Sequence, residues 1–253
     1  MKRQVVSLYD FTGEALRPWA EDGYDCFAYD IQHKPSPVGT LEPSNFKTFD
    51  SGGNIFFIHA DLYDPETSLK IIARHNNKVS FMSAFPPCTD LAVSGAMWWK
   101  KKGEANPDFQ TEASNHVKRC SMVGDAFDCP YYIENPIGAL SRLWRKPDHK
   151  FDPCDFGGYL SEDDVHPRWP EIIPPRDAYR KRTCLWVGNQ FKMPDHNKVD
   201  HKTIIYNRKN IKKGNKFSPI AGKTGGKSQR TKNIRSATPR GFAKAVFLTN
   251  SKQ

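Results

Sequence analysis

Short apolar runs alternate with stretches of helical length through the first half of the chain, and this alternation limits the possible folds more than any other feature. The composition of the runs predicts strands at 4–9, 24–29, 54–60, 78–85 and 131–133. The stretches between them predict helices at 14–20, 68–74 and 109–127. Strands that alternate with helices pair in parallel through right-handed crossovers, so the pattern predicts an α/β fold with a doubly wound sheet.

Each predicted strand leads into a polar residue that can carry chemistry. In chain order these residues are Asp10, Asp30, Asp61, Cys88 and Glu134. The carboxyl ends of parallel strands lie along one edge of the sheet, and ligands bind outside that edge. A single Asp after a strand is a common turn residue. Five polar ends in series instead predict a site that collects a thiol and several carboxylates.

Cys88 follows two prolines, whose rings restrict the backbone that presents the thiol. The alternative is that Cys88 is a small buried hydrophobic residue, as most free cysteines are. A thiol opposite a carboxyl group suits conjugate addition to a pyrimidine ring, in which the thiolate attacks C6. Glu134 would then donate the proton that N3 of the ring accepts.

Positive charge is concentrated in the last third of the chain. Residues 180–240 contain 17 Lys and Arg but only 2 Asp and Glu, in a chain whose formal net charge is +10. Such a segment favours a polyanionic partner, and nucleic acid is the first candidate. The alternative is a solvated, partly disordered basic surface. Phosphate contacts from this segment would help to offset the cost of rotating a pyrimidine out of duplex DNA.

The six cysteines form no C-x-x-C pair, so neither a disulfide framework nor a standard zinc site is expected. His149, Cys154 and His166 have irregular spacing and are weak candidates for metal ligands. The chain does not begin with a signal-peptide pattern, and no apolar run approaches the length that spans a membrane. We therefore expect a protein of the reducing cytoplasm with no metal and no membrane partner.

Two motifs resemble those of a known family. The sequences FPPC at 85–88 and IENP at 133–136 are similar to the catalytic Pro-Cys and Glu-Asn motifs of DNA cytosine-5 methyltransferases, and compact phage-borne members are the most similar. The resemblance implies a Rossmann-like methyltransferase sheet with a small basic target-recognition insertion. It implies that Cys88 is the nucleophile and Glu134 the N3 proton donor. It also implies a monomer that acts on double-stranded DNA, in the host cytoplasm if the protein is phage-encoded.

Other segments match the family by their order along the chain. VVSLYDFTG at 5–13 lies where the family has its first S-adenosylmethionine motif. Arg180-Lys181-Arg182 is similar to the family's Q-x-R-x-R element. The second arginine of that element, here Arg182, helps to hold the flipped cytosine. The resemblance implies that S-adenosylmethionine, released as S-adenosylhomocysteine, contacts Tyr9, Asp10, Phe11, Gly13, Asp30, Ile31, Asp61, Leu62, Pro86 and Thr238. It implies substrate contacts from Pro87, Asn135, Pro136 and Arg180.

The same order predicts three regions. Residues 1–188 would form the catalytic domain, 189–232 a short basic target-recognition region, and 233–253 a segment that returns to the catalytic domain against the cofactor site. Thr238 and Pro239 are typical of an N-cap and first position of a closing helix, with Phe242, Ala245, Val246 and Thr249 on one face.

Several positions depart from the family pattern. Phe11 stands where the first glycine of F-x-G-x-G belongs, Thr89 follows the cysteine in place of Gln, Pro136 follows Glu-Asn in place of Val, and no Gln precedes Arg180. The sequence therefore leaves open C5 modification of cytosine in RNA or in a free nucleotide, or the use of a modified donor. It also leaves open a non-catalytic DNA-binding protein on a methyltransferase scaffold.

Overall fold

The central element is an eight-stranded mixed sheet in the order β3-β4-β2-β1-β5-β6-β8-β7. The computed structural model describes residues 3–36, 40–205, 216–226 and 228–251. The strands of the sheet are β1 (Gln4–Leu8), β2 (Asp25–Asp30), β3 (Asn45–Thr48), β4 (Asn54–His59), β5 (Val79–Ala84), β6 (Tyr131–Pro136), β7 (His149–Phe151) and β8 (Thr183–Gly188).

Five neighbouring strands, β4, β2, β1, β5 and β6, are parallel. The other pairs are antiparallel: β3 with β4, β8 with β6, and β7 with β8. Counted in chain order, the parallel strands lie as 3-2-1-4-5, so the direction of winding reverses between β1 and β5. Sheets of this order bind ligands in the crevice at that reversal. The predicted α/β fold is confirmed, the sheet is mostly parallel, and its strand order is compatible with the predicted doubly wound arrangement.

Helices cover both faces of the sheet. The helices of the described residues are α1 (Arg17–Glu21), α2 (Pro65–His75), α3 (Trp99–Ala105), α4 (Phe109–Phe127), α5 (Leu140–Leu143), α6 (Pro219–Lys223), α7 (Gln229–Ser236) and α8 (Arg240–Asn250). Because side chains alternate along a strand, Val6 packs in a core with α2 and α4, whereas Val5 packs in a second core with α1 and α8. No helix in the described ranges is long and apolar enough to cross a membrane.

Some elements differ from the sequence prediction. Strand β3 was missed because its four residues are all exposed, so no apolar alternation marks it. Helix α8 begins at Arg240, and Pro239 rather than Thr238 is its N-cap, because the backbone of Pro239 is non-helical (ψ 126°). Thr238 is buried directly before the cap. The predicted apolar face of this helix is confirmed for Phe242, Ala245 and Val246, which are all buried.

The irregular segment between β7 and β8 forms a small third core with the C-terminal region. Ile172, Ile173 and Tyr179 of this segment pack with Ile220 of α6 and Ile234 of α7. A short antiparallel pair, β9 (Ile204–Ile205) and β10 (Lys216–Phe217), precedes α6. Much of the basic charge predicted for target recognition falls at 206–215 and 227, outside the described residues. The assignment of 189–232 to target recognition stays a prediction.

Candidate active site at the carboxyl edge of the sheet

Cys88 lies just beyond the carboxyl end of β5, beside the reversal of the sheet. The Phe85 amide donates a hydrogen bond to the Leu8 carbonyl (3.0 Å), which keeps the chain paired with β1 until the two prolines. After them the Cys88 carbonyl accepts hydrogen bonds from the amides of Leu91 (3.1 Å) and Ala92 (2.8 Å). The thiol is therefore held at the start of a tight turn, and the residue is partly exposed.

A buried amide joins this turn to β6. The Asn135 Nδ2 atom donates to the Pro86 carbonyl (3.0 Å), and Asn135 is only 1% exposed. Further along, the Ala139 amide donates to the Leu91 carbonyl (2.8 Å). A Cβ atom at Gly138 would lie 1.9 Å from that same carbonyl oxygen, so only glycine permits this approach. Asn135, predicted to contact substrate, therefore links the end of β6, which carries Glu134, to the turn that carries Cys88.

The charges that act on the thiol come from three other segments: β6, the chain before β8, and α7. Burial and the neighbouring Glu134 carboxylate raise the pKa of Cys88, whereas Lys181 and Arg235 act in the opposite direction. The Lys181 ammonium lies 3.9 Å from Glu134 Oε1, and the Glu134 side chain is 14% exposed. A thiol, a carboxylate and an ammonium group thus converge at one point. The raised pKa means that the resting thiol is protonated at neutral pH.

The structure brings Lys181, rather than the predicted Arg182, to this point. The Arg182 guanidinium is 3.1 Å from Asp152, and its side chain is 53% exposed. Neighbouring side chains of an extended chain point in opposite directions, so Lys181 faces Glu134 while Arg182 faces away. Arg180 is exposed. Lys181 and Arg235 were not predicted from the sequence. The alternation of side-chain direction along 180–182 could have indicated Lys181, because it places that residue opposite to Arg180 and Arg182.

We expect the Lys181→Gln substitution to raise the pKa of Cys88 further, because it removes a cation that favours the thiolate. The midpoint of Cys88 alkylation by iodoacetamide, followed against pH by peptide mass spectrometry, should move upward. Arg182→Gln is the matched control and should leave the midpoint in place. Equal shifts in both variants would contradict the assignment of Lys181 to this site.

The turn after β1 is shaped by the side chain of Asp10. Its Oδ1 atom accepts hydrogen bonds from the amides of Thr12 (3.1 Å) and Gly13 (2.7 Å), and its Oδ2 atom accepts one from the Ser7 hydroxyl (3.0 Å). Asp10, predicted to contact the cofactor, thus has both oxygens engaged within the chain. Tyr9 and Gly13 have positive φ values of 57° and 70°, so the turn needs left-handed backbone at both positions.

Phe11 turns its ring toward His33. The two rings stack with their centroids 5.7 Å apart. Together with Phe57 and Arg168 they line a cavity of about 570 Å³ beside the ends of β2 and β4. The Phe11 side chain, at the position where the resemblance predicts a glycine, is therefore packed against His33.

The predicted adenosine contacts lie at the ends of β2 and β4. Asp30 is 6% exposed, its Oδ1 accepts the Gln32 amide (2.7 Å), and burial raises its pKa to about 6. Ile31 is 49% exposed and Leu62 is buried. Asp61 is exposed, and its carboxylate accepts the Tyr63 amide (3.0 Å).

The remaining predicted contacts lie along the same edge. The Tyr9 hydroxyl donates to the Leu62 carbonyl (3.0 Å), which joins the β1 turn to the β4 end. Pro86 is buried under the Cys88 turn, whereas Pro87 and Pro136 are partly exposed. The roles of all these residues toward a ligand stay predictions.

Among the residues that the structure describes, no three His, Cys, Asp or Glu side chains are grouped so that they could hold a metal ion. A scan of the sequence against protein-family models gives no match, and a search of curated proteins likewise finds no similar sequence.

Proposed function

We propose that the protein is an S-adenosylmethionine-dependent methyltransferase that modifies C5 of cytosine in DNA. The observation that carries the proposal is the placement of the Cys88 thiol beside Glu134 at the reversal of a doubly wound sheet. The Asn135–Pro86 hydrogen bond, at 3.0 Å, holds the two strand ends together. The resemblance of FPPC and IENP to the family motifs supports the same chemistry.

In the proposed reaction the Glu134 carboxylate accepts the proton of the Cys88 thiol. The thiolate then adds to C6 of cytosine, while Glu134 passes the proton to N3. C5 becomes nucleophilic and would take the methyl group that S-adenosylmethionine supplies, which would leave as S-adenosylhomocysteine. Water then accepts the C5 proton, the C6–S bond breaks to release the thiolate, and N3 returns its proton to Glu134. Lys181, 3.9 Å from Glu134, stabilises the carboxylate that remains after it gives up its proton.

Two side chains at the end of β2 suit an adenosine group. Asp30 offers a carboxylate to the ribose hydroxyls, and the exposed Ile31 offers an apolar contact to the base, whereas Leu62 is packed in the core. Bound there, S-adenosylmethionine would supply the methyl group. Phe11 is compatible with this site because its ring stacks on the His33 ring.

Double-stranded DNA is the proposed substrate because the basic segment 180–240 suits a polyanion. In the described part of that segment, the charges of Lys181 and Arg235 both act to lower the pKa of the Cys88 thiol. A cation next to the reacting base would also contact the phosphates that flank it. A monomeric enzyme of the cytoplasm remains part of the proposal.

We expect the affinity for S-adenosylhomocysteine to rise as the pH increases through about 6, the pKa of Asp30. The carboxylate form accepts hydrogen bonds from the ribose more strongly than the protonated form does. Calorimetric titration between pH 5 and pH 7.5 should show an increase of about threefold to tenfold. Asp30→Asn should bind weakly and without this pH dependence. A flat profile for the parent protein would remove Asp30 from the site.

The function is tested by incubating the protein and S-adenosylmethionine with duplex DNA, RNA or free cytidine nucleotide and measuring the nucleosides by mass spectrometry. We expect 5-methylcytosine from duplex DNA. Product from the free nucleotide or RNA alone would overturn the choice of substrate. DNA binding without any product, and without S-adenosylmethionine binding, would favour a non-catalytic protein.

A second candidate keeps the reaction but uses a modified donor. It is favoured by Phe11, which occupies the position of the family's first glycine and so alters the turn at the predicted cofactor site. A nucleoside mass higher than that of 5-methylcytosine in DNA from expressing cells would establish this alternative.

A further inference from the structure

Two buried serines lie at matching positions in the two strands that flank the reversal of the sheet. Ser7 belongs to β1 and Ser83 to β5, and the two residues are partners in the register of this parallel pair. Ser7 is fully buried and Ser83 is 2% exposed. A buried hydroxyl group costs free energy unless it forms hydrogen bonds. Both serines therefore need partners inside the core.

The two hydroxyl groups form a row of hydrogen bonds that ends at a carboxylate. Ser83 Oγ donates to Ser7 Oγ (2.9 Å), and Ser7 Oγ donates to Asp10 Oδ2 (3.0 Å). A carboxylate only accepts hydrogen bonds, so it fixes the direction of donation along the row. Asp10 is 4% exposed, so the row lies in the protein interior. We call Ser83, Ser7 and Asp10 the serine–aspartate network.

The serine–aspartate network ends in the turn after β1 and holds it. The amides of Thr12 (3.1 Å) and Gly13 (2.7 Å) donate to Asp10 Oδ1, and His33 Nε2 donates to the Asp10 carbonyl (3.2 Å). The orientation of the Asp10 carboxylate decides whether Oδ1 reaches both amides. Ser7 fixes this orientation through Oδ2, so its hydroxyl group acts on the turn from within the strand.

We propose that Ser7 and Ser83 are positioning residues that give the turn after β1 its shape before a ligand binds. In the methyltransferase proposed above, on which this inference rests, that ligand is S-adenosylmethionine. Neither serine contacts it, and both act through Asp10. Tyr9 has a φ of 57° in this turn, and a non-glycine residue keeps such a backbone only where its surroundings hold it. A turn that is already formed avoids the cost of ordering it on binding.

The first test needs no ligand. Hydrogen exchange, followed by NMR on the full chain, measures the protection of the Thr12 and Gly13 amides. In Ser7→Ala we expect both amides to exchange about tenfold to a hundredfold faster, the range for a lost hydrogen bond to a charged group. Ser114→Ala is the matched control. Ser114 is 1% exposed, but its hydroxyl group donates to the Thr111 carbonyl (2.8 Å) of its own helix, α4, so both amides should keep their protection.

The second test measures the consequence for the ligand. In Ser7→Ala the affinity for S-adenosylhomocysteine, measured by calorimetry, should fall about tenfold. Ser83→Ala should lose less, because Ser7 can still donate to Asp10. In steady-state kinetics Ser7→Ala should raise the KM for S-adenosylmethionine and leave the KM for duplex DNA unchanged. A general loss of folding stability would not separate the two KM values.

Three outcomes would contradict these expectations. Unchanged amide exchange in Ser7→Ala would overturn the role of the serine–aspartate network in the turn. Faster exchange with unchanged affinity for S-adenosylhomocysteine would overturn the positioning role and leave the methyltransferase proposal intact. A parent protein that binds no S-adenosylhomocysteine would refute the proposed function and the ligand named here, while the exchange rates would still show whether Ser7 holds the turn.

Discussion

The Cys88→Ala variant is expected to form no covalent adduct with duplex DNA containing 5-fluorocytosine and to lose methyl transfer by at least about a thousandfold. The reason is that the C6–S bond makes C5 nucleophilic, and alanine cannot form that bond. The fluorine atom at C5 cannot leave as a proton does, so the parent protein should be trapped on the DNA. Denaturing gel electrophoresis measures the adduct, and transfer of labelled methyl groups measures the rate.

Cys184→Ala is the control for this experiment. Cys184 lies in β8, directly opposite Asn135 of β6, and it is a buried free cysteine of the core. Its loss removes a sulfur atom close to the site without removing the proposed nucleophile, so the adduct should persist. An adduct in Cys88→Ala, or methyl transfer at the parent rate, would refute the covalent mechanism.

The Glu134→Gln variant is expected to slow methyl transfer by about 10²- to 10⁴-fold, the usual contribution of a positioned general acid. Glutamine can accept or donate a hydrogen bond at N3 but cannot transfer a proton. The same substitution removes the negative charge that raises the pKa of Cys88, while Lys181 continues to lower it. Alkylation of Cys88 by iodoacetamide at pH 8 should therefore become faster although turnover becomes slower.

These opposite changes separate a chemical role for Glu134 from a structural one. A variant that was merely misfolded would lose turnover and would also expose its buried cysteines, Cys26, Cys120 and Cys129, to alkylation. Glu171→Gln, an exposed carboxylate paired with Arg230 at 3.0 Å, is the matched control and should change neither rate. Slower alkylation together with slower transfer would show that the Glu134 charge does not act on the thiol.

The framework of the fold was predictable from local patterns. The predicted strands at 54–60 and 78–85 correspond to β4 and β5 within two residues, and the helix at 109–127 coincides with α4. Buried parallel strands need continuous apolar residues, and a long helix needs few Gly or Pro, so both leave a strong local signal. β3 was missed for the opposite reason, since an exposed edge strand buries nothing.

The sequence by itself determined that Cys88 and Glu134 reach the same edge of the sheet. Each lies at the carboxyl end of a predicted strand, and parallel strands end at the same edge. The tertiary structure alone decided which neighbours they meet there. Lys181 rather than Arg182 faces Glu134, and Asn135 binds the Pro86 carbonyl. Such contacts join segments that are far apart in the chain. They depend on the direction in which each side chain points and on how closely the loops pack, and the local sequence carries no pattern that predicts either of these.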